Sequence, residues 1–293
     1  MAIVEASLRD AAFAKINLTL RVIGRRQGGG QDGYHEIESL VAFADLADTL
    51  TLQPGGTIAL DVSGPFAGAS GPTADNLVLK AAAALGRLID GLKAAYFQLE
   101  KNIPVAAGLG GGSADAAAAL RLLARANGLS IDDARLMVAA LETGADVPVC
   151  LASQACKMHG LGERLSPPLE LPLLPAVLVN PGVGLATRDV FAKFGDRFDN
   201  RDDGADVPRE PDALMDWLAH RGNDLTPAAI TCLPVIGEVL AALRAAPGAR
   251  LARMSGSGAT CFALFATAGE AAAAAWMLEA RHADWWVCPA TIG

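Results

Sequence analysis

Residues 104–113 read Pro-Val-Ala-Ala-Gly-Leu-Gly-Gly-Gly-Ser, and an alanine-rich run over 114–126 follows directly. That run predicts a helix, so the glycines stand just before a helix N-terminus. Glycine lets the backbone approach a ligand closely, and the N–H groups and dipole of the helix favour an anion such as phosphate. The alternative is a flexible turn, in which Ser113 is only the N-cap rather than a contact to phosphate or Mg²⁺.

The pattern differs from two common nucleotide-binding motifs. No Gly-Lys-Ser/Thr ends the stretch, which excludes a Walker A loop. It also does not form a G-x-G-x-x-G sequence after a buried strand at the chain start, so a dinucleotide-binding fold is weakly supported. The sequence therefore favours a phosphate loop of a different kind.

Two charged residues are candidates for chemistry near such a loop. Asp146 follows the end of a predicted helix at Thr143-Gly144, where it is either a turn residue or a base that accepts a hydroxyl proton during phosphoryl transfer. Lys15 lies in the alternating run 13–22, which predicts a strand with one buried face and places Lys15 and Asn17 on the other. Lys15 is either a solvated surface residue or a cation that favours the charged form of a catalytic carboxylate.

A second small-residue loop occupies 255–258, with the sequence Ser-Gly-Ser-Gly. Its pattern is compatible with a tight hairpin or with a wall against a phosphate site. His35 follows a glycine-rich loop and is either a structural residue or a ligand contact. The other histidines have no metal-like spacing, so we expect no protein-bound metal site.

Composition limits the classes of function. The 293 residues include 24 Lys and Arg against 32 Asp and Glu, a net charge of −8, so a nucleic-acid partner is not expected. The five cysteines form no C-x-x-C pair, and their odd number argues against a disulfide framework. We find neither a signal peptide nor an apolar run of about 18 residues, which predicts a cytoplasmic protein outside the membrane. The length predicts two domains or one large domain, and the mixed strands and helices favour the α+β class.

Three segments together resemble the GHMP kinases, a family that includes galactokinase, homoserine kinase and mevalonate kinase. Residues 104–113 resemble the family's phosphate-binding motif, residues 14–18 the first motif and residues 254–259 the third. The resemblance implies ATP as cosubstrate, Mg²⁺, and a two-domain α+β fold. The N-terminal half (1–165) would be like a ribosomal S5 domain, and the C-terminal half (166–293) would be ferredoxin-like.

Within the family, further segments resemble one branch of small-molecule kinases. These segments are Asp32-Gly33-Tyr34-His35, Asp45-Leu46-Ala47-Asp48, Asp75-Asn76-Leu77, Gly144-Ala145-Asp146-Val147-Pro148 and residues 222–228. That branch phosphorylates the 2-hydroxyl of a cytidine diphosphate derivative in the non-mevalonate route to isoprenoid precursors. Ala106-Ala107 departs from the family pattern, which commonly has glycine there.

The resemblance implies a role for each matching residue. Asp146 would be the general base and Lys15 its partner. The implied ATP contacts are Pro104, Gly108, Leu109, Gly110, Gly111, Gly112 and Ser113 for the phosphates, with Asn76 and Lys101 near the nucleoside. The implied substrate contacts are Asn17, Tyr34, His35, Thr187 and Phe191.

Two alternatives remain open at this point. One is another GHMP kinase, acting on homoserine or a mevalonate derivative, against which the Tyr34-His35 pair argues because it suits a base ring. The other is a nucleotide-binding protein that has lost its chemistry, against which the presence of both Lys15 and Asp146 argues. Residues 195–210 are polar and rich in Asp, so we expect a mobile loop that is dispensable for chemistry. The oligomeric state is not predicted.

Overall fold

The computed structural model describes residues 7–28, 32–55, 57–93, 95–195, 198 and 205–293. The chain divides into two compact units, each assembled from separate stretches of sequence. The first unit is Met1–Ala14, Leu46–Val105 and Gly110–Ser153, and the second is Lys15–Asp45, Ala106–Leu109 and Gln154–Gly293. The predicted domain boundary after residue 165 stays a prediction. Most of the segment 195–210 lies outside the described residues.

Strands and helices are mixed along the chain, which confirms the predicted α+β class. The strands are β1 (Leu8–Asn17), β2 (Arg21–Arg25), β3 (His35–Pro54), β4 (Ala59–Ser63), β5 (Ala95–Glu100), β6 (Cys156–Gly160), β7 (Arg164–Leu165), β8 (Leu174–Asn180), β9 (Leu251–Met254), β10 (Cys261–Leu264) and β11 (Trp286–Ile292). The helices are α1 (Leu77–Leu88), α2 (Gly111–Ala126), α3 (Ala134–Thr143), α4 (Val147–Ala152), α5 (Thr187–Phe194), α6 (Pro211–Ala219), α7 (Thr226–Cys232), α8 (Val235–Ala245) and α9 (Ala268–Arg281).

The first unit combines a short sheet with packed helices. β5 pairs antiparallel with residues 49–54 of β3 and parallel with β4. α2 packs against α1 and α4, and its alanines 114 and 116–119 are buried. Small side chains let neighbouring helix backbones approach closely, so the alanine-rich run fixes α2 in the core with its N-terminus at the glycine stretch.

The second unit contains a further set of strand pairings. β9, β10, β8 and β11 form successive antiparallel pairs. β11 continues to β3 through Ile292 opposite Ala44, and β2 and β6 pair with the first part of β3. α8 packs against β9 and β10, and α9 packs against β8 and β11. The loop 255–258 therefore belongs to the connection of the β9–β10 hairpin, as one reading of its sequence predicted.

The strand predicted over 13–22 differs from the observed structure. β1 ends at Asn17 and β2 begins at Arg21, so the run is divided in two. Lys15 and Asn17 are only 3% and 1% exposed, although the alternation predicted a single buried face. Period-two patterns report which face is apolar, but they do not reveal that polar residues on the other face are also covered.

Several helix predictions need correction as well. The sequence pattern over 145–158 predicts extended structure, but residues 147–152 form α4, because Pro148 fits the first turn of a helix. The pattern over about 226–245 predicts one helix, but the structure has two, since Pro234 begins a new one after Leu233. The sequence offers Asp75 as the N-cap of α1, but Asn76 caps it, and Ser113 lies inside α2 rather than at its N-cap. Within the described ranges, no helix is long and apolar enough to cross a membrane.

Candidate functional site

The glycine stretch ends in a helix start with free backbone donors. Gly110 occupies the N-cap position of α2 with a left-handed backbone, and its carbonyl accepts from the N–H of Ala114 at 2.8 Å. The N–H groups of Gly111, Gly112 and Ser113 therefore belong to the first turn, where no preceding carbonyl is available within the helix. Such N–H groups, together with the helix dipole, bind phosphate oxygens, and the Ser113 hydroxyl adds a further polar group.

Three buried ionisable side chains lie against this helix start in the first unit. The Lys101 ammonium donates to Asp48 and, at 2.7 Å, to Oδ2 of Asp115. Oδ1 of Asp48 also accepts from the backbone N–H of Ile103 at 2.8 Å. All three ionisable residues are 3% exposed or less. We call them the Asp48–Lys101–Asp115 cluster.

Burial controls protonation in this cluster. Burial raises the pKa of Asp115, and the nearby Lys101 charge only partly opposes that effect. Burial by itself lowers the pKa of Lys101, but the attraction of Asp115 and Asp48 outweighs it and the pKa is raised. Lys101, for which the family resemblance implies a place near the nucleoside, thus has its ammonium ion-paired in this cluster.

In the second unit, residues 106–109 contact the loop 255–258 closely. Ser255 Oγ donates to the carbonyl of Gly108 at 3.0 Å, and Thr260 N–H donates to the carbonyl of Ala107 at 3.0 Å. A Cβ at Gly108 would lie 2.5 Å from the carbonyl oxygen of Ser255 and 2.7 Å from that of Gly258. Its φ is also +76°, so only glycine fits this position.

Lys15 and Asn17 join the same arrangement at the end of β1. Lys15 N–H donates to the carbonyl of Leu109 at 2.8 Å, and Asn17 N–H donates to Ser255 Oγ at 3.1 Å. The Asn17 amide donates to Ser39 at 2.7 Å, which leaves its buried Oδ1 without a hydrogen-bond partner among the described residues. A buried acceptor of this kind is suited to a donor on a ligand. Burial raises the pKa of the Cys156 thiol to about 11, while the Lys15 charge acts against that rise.

Asn223 holds the loop 255–258 from the other side, although the sequence suggested no role for it. Its side-chain amide donates to the carbonyls of Met254 at 2.8 Å and Gly256 at 2.7 Å. Its Oδ1 accepts from Leu225 N–H at 3.0 Å, so every hydrogen bond of the amide goes to backbone. We call this arrangement the Asn223 clamp.

Arg253 lies on β9, the strand before the loop 255–258, and it also donates to backbone carbonyls. Its guanidinium donates to the carbonyls of Leu18, Leu218 and Arg221, and the side chain is buried without a carboxylate partner among these contacts. Burial lowers the pKa of Arg253 to about 10. Arg253 thus ties the start of the β9–β10 hairpin to the segment that follows β1.

An aromatic cluster surrounds His35 in the second unit. The His35 ring stacks on Phe191 with centroids 5.0 Å apart and meets Phe194 edge-on at 5.8 Å. Phe198 lies 6.4 Å from His35, and the side chain of Tyr34 is 64% exposed. His35 and Phe191 were named from the sequence, but Phe194 was missed, because α5 was not predicted, and so was Phe198, because it stands in the polar segment 195–210.

The remaining predicted residues occupy defined local positions. Thr187 starts α5, and its hydroxyl lies 2.9 Å from that of Ser257. Asn76 caps α1 by accepting from Val78 N–H at 2.9 Å, in the first unit. Asp146 is half-buried between α3 and α4, also in the first unit, whereas Lys15 belongs to the second. Pro104 is buried just before the glycines.

Comparisons with known proteins show the family to which the chain is similar. The family model described as GHMP kinases N terminal domain matches residues 76–154, and that described as GHMP kinases C terminal matches residues 207–283. A protein of Rhodopseudomonas palustris named 4-diphosphocytidyl-2-C-methyl-D-erythritol kinase is 58% identical over 291 residues, covering 96% of each chain. A protein of the same name from Methylorubrum extorquens is 54% identical over 287 residues, covering 96% of this chain and 98% of its own.

Solved structures give the same result for the fold. A crystal structure of 4-(cytidine 5'-diphospho)-2C-methyl-D-erythritol kinase has a TM-score of 0.76 and 34% identity, covering 98% of this chain and 99% of its own. Homoserine kinase from Cytophaga hutchinsonii has a TM-score of 0.66 at 17% identity, covering 99% and 97%, and supports the fold alone. On its two matched family models and its full-length relatives, the chain belongs to the GHMP kinase family.

Proposed function

We propose that this kinase transfers the γ-phosphate of ATP to the 2-hydroxyl of 4-diphosphocytidyl-2-C-methyl-D-erythritol, a step of the non-mevalonate pathway. The observation that carries the proposal is the 54% and 58% identity to kinases of that name over 96% of the chain. Solved structures of a homoserine kinase and a mevalonate kinase are 17% and 15% identical to this chain, a likeness that supports the fold and not those activities. We further propose a cytoplasmic location.

The phosphate groups of ATP would bind to the backbone of Gly108, Leu109, Gly110, Gly111, Gly112 and Ser113. The exposed N–H groups of the first turn of α2 support this role, because they supply donors without a compensating negative charge. Asn76 and Lys101 would lie near the nucleoside, Lys101 with its ammonium held in the Asp48–Lys101–Asp115 cluster, and Pro104 would fix the entry into the loop. The polar groups at the start of α2 are backbone N–H groups and one hydroxyl, which suit phosphate rather than a metal ion. Mg²⁺ would therefore be held mainly by phosphates and water. It would neutralise negative charge during transfer.

Asp146 would accept the proton of the attacking hydroxyl, and Lys15 would stabilise the developing negative charge. The support is the match of both residues to family motifs, together with the burial of Lys15 and its backbone bond to Leu109. A positioned base contributes about 10²–10⁴ in rate, and no phosphoenzyme is needed, because positioning and electrostatics are sufficient.

The cytosine end of the substrate would bind at the aromatic cluster. Tyr34 and Phe191 offer ring faces for stacking, and His35 offers one donor and one acceptor for the edge of the base. The buried Oδ1 of Asn17 would accept from a substrate hydroxyl, and Thr187 would line the pocket beside Ser257. This chemistry suits a pyrimidine better than a small acid.

The proposal is tested by a coupled assay of ADP formation with three acceptors: the cytidyl substrate, homoserine and mevalonate. We expect turnover with the cytidyl substrate alone. Asp146→Asn should lower kcat by about 10²–10⁴ and leave ATP affinity unchanged. The control is Asp132→Asn, which removes an exposed carboxylate just before α3, at the opposite end of that helix from Asp146. Turnover with homoserine or mevalonate instead, or near-normal kcat in Asp146→Asn, would contradict the assignment.

The pyrimidine site is tested by titrating CDP and an ATP analogue into wild type and His35→Ala. Loss of the edge contacts should weaken CDP by about 1–3 kcal/mol and leave the ATP analogue unaffected. His220→Ala changes an exposed histidine at the C-cap of α6 and serves as the matched control. Equal CDP affinity in wild type and His35→Ala would mean that His35 only braces the aromatic cluster.

A further inference from the structure

We propose that the Asp48–Lys101–Asp115 cluster positions both ends of the glycine loop 104–113 and thereby sets the affinity for ATP rather than for the acceptor. This inference rests on the proposed kinase function. The three residues of the cluster are positioning residues, because they act through the backbone of the loop.

The cluster forms hydrogen bonds with the backbone immediately before the loop. Oδ1 of Asp48 accepts from the backbone N–H groups of Asn102 and Ile103, and Ile103 is the residue before Pro104. Lys101 itself is held from the backbone side, since its N–H donates to the carbonyl of Ser63 at 2.8 Å. The direction in which the chain enters the loop is therefore fixed by a carboxylate on β3.

The cluster also reaches the end of the loop. Asp115 lies on α2 two residues after Ser113, and its Oδ2 accepts from Lys101 at 2.7 Å. A Cβ built on Gly111 would lie 3.4 Å from the Lys101 ammonium and 3.7 Å from Oδ2 of Asp48. The same ammonium thus joins the segment before the loop to the helix after it, beside Gly111 in the first turn of α2.

Charge within the cluster links it to an anionic ligand. Two carboxyl groups share one ammonium, so full ionisation would leave one negative charge beneath a site for phosphate. The charged groups that act on Asp115 are Lys101, from the segment after β5, and Asp48, from β3; on the α1 side, Leu77 approaches Gly112. Burial raises the pKa of Asp115, so its neutral form is favoured, and its Oδ1 has no hydrogen-bond partner among the described residues.

Two consequences follow for ATP binding. Removal of the ammonium should release both loop ends and add negative charge beside the phosphates. Loss of the Asp115 proton at higher pH should weaken ATP binding for the same electrostatic reason. The affinity for the acceptor, whose proposed contacts are other residues, should not change with this titration.

The test compares wild type, Asp115→Asn and Lys101→Met by measuring kcat and KM for ATP and for the acceptor from about pH 7 to about pH 9, above the range in which the terminal phosphate titrates. Lys101→Met should raise the KM for ATP by about tenfold or more, the size expected when a helix N-terminus loses alignment with an anion, and change the acceptor KM less than about twofold. Asp115→Asn keeps the neutral shape and should bind ATP like wild type near pH 7. At the upper end of the range it should lose the rise in ATP KM that wild type shows. Lys80→Met, an exposed lysine on α1, is the control.

An unchanged ATP KM in folded Lys101→Met, or the same pH profile in Asp115→Asn and wild type, would overturn the inference. If Lys101→Met does not fold, the profile of Asp115→Asn decides. Titration of an ATP analogue across the same pH range separates the two proposals. Wild type without turnover refutes the proposed function, whereas the affinity of the analogue still supports or overturns the role of the cluster.

Discussion

The loop 104–113 leads into α2 beside three buried ionisable side chains, whereas the loop 255–258 is held by uncharged groups. In the first unit, Asp48, Lys101 and Asp115 bond mainly to one another. In the second unit, the amide of Asn223 and the hydroxyl of Ser255 bond to backbone. The two loops are thus supported by different kinds of interaction, which differ in the free energy lost when they are removed and in their dependence on pH.

The difference has physical consequences for how each support fails. A buried ion pair gains little over apolar packing, but removal of one partner leaves an uncompensated charge. A neutral clamp loses only its hydrogen bonds, and the cost is the desolvation of the carbonyls left behind. The charged support should therefore be the more fragile to substitution and the only one of the two sensitive to pH.

The largest effect on stability is expected for Lys101→Met. It leaves the carboxyl groups of Asp48 and Asp115 buried without their cation, which should lower the free energy of unfolding by about 3–5 kcal/mol. Urea unfolding measures the change, with Lys80→Met as a control within about 0.5 kcal/mol of wild type. A loss below about 1 kcal/mol would show that the cluster is well solvated.

Asn223→Ala should have the next largest effect. It leaves the carbonyls of Met254 and Gly256 without their donor, at a cost of about 2–3 kcal/mol in the free energy of unfolding. Asn223→Asp keeps the acceptor for Leu225 but turns an oxygen toward the two carbonyls, so it should be at least as destabilised. If Asn223→Asp were as stable as wild type in the same urea unfolding experiment, the amide would not be acting as a donor.

A smaller, pH-dependent effect is expected for Asp115→Asn. An ordinary Asp carboxyl titrates near pH 4 in the unfolded chain, and burial raises the pKa of Asp115 in the folded chain. Between these values the folded state binds more protons, so this group makes the free energy of unfolding fall as pH rises. Asparagine does not titrate, so the variant should lack that fall. Urea unfolding at about pH 5 and about pH 8 measures this change in the free energy of unfolding. The control Asp132→Asn should show the same change with pH as wild type.

Local patterns predicted part of this arrangement. The glycine stretch, the alanine-rich helix and the loop 255–258 were predictable because each depends on neighbouring residues. The α+β class followed from mixed periodicities. α4 was missed because the β-branched Val147 and Val149 around Pro148 favour extended structure, although Pro148 fits the first turn of a helix.

The supports of the loops could not be predicted, because their partners are distant in sequence. Asp48 and Lys101 are 53 residues apart, and Asn223 lies 31 residues from Met254. Asp48 and Asn223 stood in segments that resemble the family, but no spacing rule connects them with their partners. Burial of Lys15 was likewise hidden, since a lysine on a strand is usually solvated.

The smallest effect is expected at Ala106, in the middle of the loop and in the second unit. Its φ is +52°, a left-handed conformation that costs a residue with a Cβ about 1–2 kcal/mol, and glycine is common there in the family. Ala106→Gly removes that strain but adds about 0.4–1 kcal/mol of unfolded-state entropy, so a net stabilisation of about 0.5–1 kcal/mol should remain. Ala107→Gly is the matched control, because Ala107 is buried without a positive φ and the change should only destabilise. Thermal unfolding that ranks Ala106→Gly below wild type would mean that contacts of the Ala106 methyl outweigh the strain, and the conformation of the loop would then depend on its own side chains as well.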